Sequence, residues 1–467
     1  EKRIRSGIKY ALLRATYNGH CAVLYDNLVT FTRDLLGVSE DAIDSSLINM
    51  KSKEEIYMEE RNTGDWIYLA TYYKAEKNIA EKLIELRNYT NINAVENLDK
   101  KLKKIEKEQK IELSDKQKEA VKLVNDNNVC VITGGPGTGK TTIIKSIIDL
   151  YNNEELKITL CAPTGRAAKR MTEATGEEAK TLHRVLEIGK FASEDEINPD
   201  LLVTPIDANI VIVDEASMID LFLMNYLMKA LYNGTKLVLV GDENQLPSVG
   251  PGNVLKDIIA SEQVPVVTLN KIFRQAAKSK IILNSHKVNE GESFIGVKQD
   301  NEEELLQDFF FIQENNKDNI TKQIVSLCTG RLEKYGNYDF IKNIQVITPT
   351  KKGTLGTKEL NQVIQSNVNP FETIKKEKKF GDVIFRQGDR IMQVKNNYDM
   401  FWERDGKSNE AGSGVFNGEF GTIIDINEMD KEIVIKFDDD KKAWYSYADL
   451  DQIEHAYAIT VHKAQRK

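Results

Sequence analysis

The chain has 467 residues, 41% of them hydrophobic, and a formal net charge of −8. That length allows about three domains, and the apolar content is enough for real cores, so a wholly disordered chain is excluded. No apolar run approaches the ~18 residues of a membrane-spanning helix and no secretory start is visible, so a soluble cytoplasmic protein with no membrane partner is expected.

The first 90 residues or so read as mostly helical. Ile4, Ile8 and Leu12 share one helix face, Leu28, Phe31 and Leu35 mark a second helix, and Ile43, Leu47 and Ile48 a third. Two short strand-like pieces, 56–58 and 66–69, flank the turn signal Asn62-Thr63-Gly64. Three helices and a hairpin make a winged-helix pattern; a plain helical packing domain fits the same residues. The run 99–112 is rich in Lys and Glu, which suits a solvated linker helix or a DNA-binding stretch.

From residue 128 the texture changes. The runs 129–133, 158–161, 210–213, 237–240 and 264–269 are short, continuous, apolar and rich in β-branched residues, with helical stretches between them. Strands buried on both faces and alternating with helices predict a parallel sheet in an α/β domain. A second such series starts near 344–348. Between 382 and 452 the pieces 390–394, 421–426, 433–437 and 444–447 are spaced like the strands of a small barrel, and strand periodicity resumes at 456–461. Of the four cysteines, Cys21, Cys130, Cys161 and Cys328, none forms a C-x-x-C pair, so neither a zinc site nor a disulfide framework is indicated. Cys130 and Cys161 fall inside apolar runs, as buried small hydrophobes do.

Residues 134–141, Gly-Gly-Pro-Gly-Thr-Gly-Lys-Thr, fit G-x-x-x-x-G-K-[ST] between a strand and a helical run at 143–150. Glycines let successive backbone N–H groups turn inward as an anion cradle. Lys140 is then placed to reach the β- and γ-phosphates of ATP, and the Thr141 hydroxyl to ligate Mg²⁺. The strand 210–213 runs into Asp214-Glu215, putting carboxylates at the sheet edge where ligands bind. Asp214 suits the Mg²⁺ shell, and Glu215 suits orienting and deprotonating the attacking water. The next strand leads to Gly241-Asp242-Glu243-Asn244-Gln245, where Gln245 could report the γ-phosphate or be a polar loop residue. Arg274 is a candidate cation for the transition-state phosphate. Ser114-x-x-Gln117 reads as a capping box, and a glutamine just before a P-loop strand can also read adenine.

The ordered series Gly135-Pro136-Gly137-Thr138-Gly139-Lys140-Thr141-Thr142, Ala162-Pro163-Thr164-Gly165-Arg166-Ala167-Ala168, Asp214-Glu215-Ala216-Ser217-Met218, Gly241-Asp242-Glu243-Asn244-Gln245-Leu246-Pro247, Phe273-Arg274-Gln275 and Tyr457-Ala458-Ile459-Thr460-Val461-His462-Lys463-Ala464-Gln465 resembles the motifs of superfamily 1 helicases. Ala162–Ala168, with Thr181-Leu182-His183-Arg184 after it, is similar to the RecD/TraA branch. The stretches around Gly19-His20-Cys21 and 72–83 resemble the long stand-alone bacterial RecD-type helicases.

The resemblance implies an α/β fold of two RecA-like P-loop motor domains with ATP between them, an inserted small β-barrel and a helical N-terminal domain. The expected division is 1–98 for the N-terminal domain, 99–112 for a linker helix and 113–275 for the first motor domain, with a strand-separating pin near 189–202. The second motor domain, apparently incomplete, takes 276–381 and 453–467, and the barrel, of the small Src-homology type, takes 382–452. The family's nucleotide contacts fall on Gln117, Gly135 to Gly139 and Lys140 to Thr142. Its strand contacts fall on Pro163, Thr164, Arg166, Thr350, Thr460, His462 and Lys463, residue types that bind phosphates; His462 alone would also fit a core or capping histidine. The implied activity is ATP-driven 5′-to-3′ movement of a monomer on single-stranded DNA, splitting duplex at single-strand junctions in repair or recombination, with single-strand-binding protein as a partner. The family continues past Gln465 with Gly-Ser-Glu where this chain has Arg466-Lys467, and carries a helix-hairpin-helix region upstream, so a fragment or omitted segments are expected. Two alternatives are a nucleotide-gated DNA-binding fragment without motor activity and the helicase module of a conjugative relaxase. The latter would bring a histidine cluster, whereas residues 1–100 hold only His20.

Overall fold

The structure is a computed structural model describing residues 1–90, 93–152, 154, 156–188, 202–273, 278–294, 306, 308–404 and 411–465. The chain divides into two compact units, Glu1–Phe310 and Phe311–Lys467. The strand-separating pin anticipated near 189–202 lies outside the described residues except for Leu202, and Arg274 lies outside them altogether.

The first unit opens with α1 (Lys2–Tyr17), β1 (Ala22–Leu24), α2 (Tyr25–Leu36), α3 (Glu40–Ser52), β2 (Ile56–Arg61) and β3 (Gly64–Leu69). The strands form an antiparallel sheet in the order β1-β3-β2. Ile8, Leu12, Leu28, Ile43, Leu47, Ile56 and Ile67 close a core of their own. Two expected apolar positions turn outward: Leu35 is 44% exposed and Ile48 70%.

α4 (Ala70–Asn88), α5 (Leu98–Gln109) and α6 (Asp115–Asp126) precede the parallel sheet. Its strands are β4 (Val129–Gly134), β5 (Ile158–Ala162), β6 (Ala179–Thr181), β7 (Ile210–Val213), β8 (Lys236–Gly241) and β9 (Val266–Leu269), in the order β6-β5-β7-β8-β4-β9. Helices α7 (Lys140–Asn152), α8 (Gly165–Thr175), α9 (Leu182–Val185), α10 (Leu221–Ala230), α11 (Val254–Ala260) and α12 (Lys280–Asn289) connect and follow them. The continuous apolar runs have a direct cause: alternate residues of each strand feed two different cores. Val129, Val131, Val211, Val213, Leu237 and Leu239 pack with α4, α10 and α11, whereas Cys130, Ile132, Ile210, Ile212, Val238 and Val240 pack with α5, α6 and α7.

Two helices from the stretch assigned to the N-terminal domain and linker therefore cover this sheet. α4 contributes Tyr72, Ala75, Ile79, Leu83 and Leu86, with Tyr72 edge-on to Phe222 at 4.9 Å. The lysine-rich run is amphipathic, burying Leu102 and Ile105 and exposing its charges. α6 is fixed at both ends. Ser114 and Gln117 form the predicted capping box, and the buried Lys236 ammonium donates to the carbonyls of Val124, Asn125 and Asn127 at 2.5, 3.2 and 2.5 Å. Burial pushes that lysine down to about 8.

The second unit contains α13 (Lys317–Ser326), α14 (Leu332–Gly336), α15 (Phe340–Asn343), β10 (Val346–Thr348), α16 (Thr357–Val368), the hairpin of β11 (Glu377–Phe380) and β12 (Val383–Arg386), β13 (Arg390–Gln393), β14 (Asn397–Arg404), β15 (Ala411–Val415), β16 (Phe420–Asn427), β17 (Glu432–Phe437), β18 (Lys441–Ser446), β19 (Ile453–His455), β20 (Ala458–Thr460) and α17 (Val461–Gln465). β10 and β20 pair in parallel, and the larger sheet is antiparallel in the order β15-β14-β18-β17-β16-β13-β19. No helix among the described residues is long and apolar enough to cross a membrane.

Candidate nucleotide site

The parallel sheet presents the carboxyl ends of β7, β8 and β4 side by side, and the loop 134–140 closes over the last of them. Two of its glycines are closely approached by side chains from elsewhere in the chain. Gly139 has φ +83°, and a Cβ there would lie 2.5 Å from Gln117 Nε2 and 3.0 Å from the Phe273 ring. At Gly135 a Cβ would lie 2.6 Å from Cε1 of His286. Gln117 and Phe273 thus lie against Gly139, and His286 against Gly135. Thr138 donates to the Gly135 carbonyl at 2.8 Å, and the Lys140 ammonium donates to the carbonyls of Gly134 and Gly135 at 2.6 and 3.2 Å. Pro136 and Thr141 are exposed, and Gly137 and Thr142 half-buried.

Asp214 and Glu215 follow β7 as predicted. Glu215 adopts φ +52°, and its N–H donates to Asp214 Oδ1 at 2.9 Å. Burial raises the Asp214 carboxyl above the ordinary range; that N–H and the Lys140 charge pull it back. Burial also raises Glu215, the Asp214 charge adds to it, and Lys140 and Arg170 oppose. Lys140, Asp214 and Glu215 therefore share one electrostatic neighbourhood, which Asp242 at the end of β8 joins. A lysine beside under-neutralised carboxylates, below a glycine loop at a helix start, suits a triphosphate and a divalent cation.

Gln245 sits one loop away, its Oε1 accepting from Ser217 at 3.3 Å. Gln117 forms the capping box, its Oε1 accepting from the Ser114 N–H at 2.9 Å, while its Nε2 lies against Gly139. His286 was missed. A lone histidine on a helix carries no local signal; only the tertiary approach of α12 brings it to the loop.

The residues expected to hold a strand fall at element ends. In the first unit Thr164 caps α8, accepting from the Ala167 N–H at 3.3 Å, next to half-buried Pro163 and exposed Arg166. In the second, Thr350 is exposed, and Thr460, 7% exposed, accepts from the Lys463 N–H at 3.4 Å. His462 is exposed, which removes the reading as a core histidine, and Lys463 pairs with Glu454 at 2.7 Å.

Residues 112–308 match the family model described as an AAA domain, and residues 360–437 match the ATP-dependent RecD-like DNA helicase SH3 domain. The ATP-dependent RecD2 DNA helicase of Deinococcus radiodurans is 30% identical over 99% of this chain and 60% of its own length. The RecBCD enzyme subunit RecD of Buchnera aphidicola subsp. Schizaphis graminum is 28% identical over 86% of this chain and 74% of its own. The chain thus spans about three fifths of the first relative and three quarters of the second. The crystal structure of the Pif1 helicase from Candida albicans aligns at 16% identity with a TM-score of 0.40, over 76% of this chain and 86% of that one.

Proposed function

We propose, for a chain that belongs to the RecD-like helicases, that it is the ATP-hydrolysing core of a motor that moves 5′ to 3′ on single-stranded DNA and separates duplex ahead of it. The observation that carries this reading is the shared neighbourhood of Lys140, Asp214 and Glu215 under the loop 134–140. In this reading the loop amides and Lys140 hold the phosphates, Gln117 faces the base, and Thr141 and Asp214 hold Mg²⁺. Bound there, the cation would neutralise charge on the phosphate oxygens. Glu215 orients and deprotonates water, Gln245 in the loop after β8 senses the γ-phosphate, and Arg274 is the proposed cation for the developing charge.

Pro163, Thr164 and Arg166 of the first unit, and Thr350, Thr460, His462 and Lys463 of the second, are the proposed strand contacts, which address phosphates rather than bases. The RecA-like character of the second unit, the barrel closure of its antiparallel sheet, the winged-helix role of residues 1–69, a monomeric motor and single-strand-binding protein as a partner belong to the same proposal. The test is DNA-stimulated ATP hydrolysis with strand displacement on matched 5′- and 3′-tailed duplexes. Lys140→Ala is expected to abolish hydrolysis while leaving the circular dichroism melt in place. A rate indifferent to single-stranded DNA, or displacement of 3′-tailed duplex only, overturns the reading.

A further inference from the structure

We propose that His286 is a positioning residue for the nucleotide loop, holding the Pro136 carbonyl from outside so that the Gly137 N–H is turned into the cradle. The inference rests on reading 134–141 as an ATP loop. In a trans peptide the carbonyl and the following N–H point in opposite directions. A loop that binds an anion through its amides must therefore send the preceding carbonyls outward, where each needs a donor. For the plane joining Pro136 and Gly137, that donor is His286 Nε2, 3.3 Å from the Pro136 oxygen. For the next plane it is the Phe273 N–H, 3.2 Å from the Gly137 oxygen. The carbonyls of Gly134 and Gly135 instead face the loop's own Lys140.

A carbonyl only accepts, so the imidazole carries its proton on Nε2 at this contact. The ring comes this close because Gly135 has no Cβ: one would stand 2.6 Å from Cε1 and 3.1 Å from Nε2. The ring's own support is fixed in turn. Ser279 caps α12 by accepting from the Ile282 N–H at 3.4 Å and donates to Asp308 Oδ2 at 2.6 Å, while Asp308 Oδ1 accepts from the Lys280 N–H at 2.9 Å. Both outward carbonyls are thus held by the segment that follows β9, and the imidazole and Gly135 are steric partners.

The experiment measures affinity for a fluorescent ATP analogue with Mg²⁺, together with kcat and KM for ATP, in the whole chain and four variants. His286→Ala is expected to weaken binding and raise KM about three- to tenfold with kcat within about twofold, the span of one neutral hydrogen bond. His286→Asn, which keeps a donor, is expected to recover part of that loss. Gly135→Ala is expected to weaken binding strongly in the wild-type background and far less in the His286→Ala background, because removing the ring frees the space the new methyl needs. Unchanged binding in His286→Ala, or an equal Gly135→Ala penalty in both backgrounds, overturns the proposal while leaving the ATP reading standing. A wild-type chain that does not bind the analogue overturns the ATP reading itself, and this inference with it.

Discussion

The molecule buries carboxylates in two contrasting ways. In the second unit Asp389 is fully buried, yet donors surround it: Arg386 N–H at 2.7 Å, Gln365 Nε2 at 2.6 Å, Asn369 Nδ2 at 2.7 Å, the Tyr457 hydroxyl at 2.8 Å and His455 Nε2 at 3.0 Å. These donors come from α16 and its end, the end of β12, β19 and the approach to β20, so the carboxylate ties four pieces of chain together. In the first unit Asp214 accepts the Glu215 N–H, and both carboxyls are raised by burial with Lys140 as the opposing charge they share. A satisfied buried carboxylate is a fastener. One buried at a sheet edge and held above its ordinary range retains an unmet demand for positive charge, which is what a site for Mg²⁺ and a phosphate requires.

That contrast predicts opposite outcomes for similar substitutions. Glu215→Gln is expected to lower kcat for ATP by about 10²- to 10⁴-fold, the usual worth of a positioned general base, with analogue binding retained. Asp389→Ala is expected to remove about 3–5 kcal/mol of stability, because it strands a buried cluster of donors. Urea unfolding followed in the second unit reads the loss, and nucleotide binding to the first unit is expected to persist below the transition. If Asp389→Ala left stability intact but stopped hydrolysis, the division into fastener and site would be wrong.

The arrangement of the candidate nucleotide site was legible because its motif is local: loop, lysine and strand-end carboxylates each lie within a few residues of an apolar run. The helix cap at Ser114 and the five core strands of the parallel sheet were legible for the same reason. What escaped depends on tertiary packing. β1, β6, β14 and β15 are short or carry polar and glycine residues, and only their neighbours make them strands. The helix over 99–112 looked like a charged linker, yet Leu98, Leu102 and Ile105 stand at i, i+4 and i+7, and the sheet supplies the surface they need. Periodicity placed Ile48 with Ile43 and Leu47, but adjacent residues on a helix are about 100° apart, and Ile48 falls off the buried face. Ile43→Ala is accordingly expected to cost about 2–5 kcal/mol and Ile48→Lys less than about 0.5 kcal/mol, by chemical denaturation.

A small expected effect tests the contrast most directly, because it concerns sign. The Glu215 pKa is raised in the folded chain, so between the ordinary carboxylate pKa and that raised value the native state binds more protons than the unfolded one. Stability therefore falls as pH rises through that window and stays lower above it. Glu215→Gln removes both the titration and the buried charge. It is expected to melt about 1–3 °C higher than wild type at neutral pH, with the gap closing below the ordinary carboxylate range. The same substitution would then have lost activity and gained stability, as a group held in place for chemistry should. A melt that drops at neutral pH would mean that Glu215 is already satisfied by its surroundings, and that it belongs with Asp389 as a structural tie.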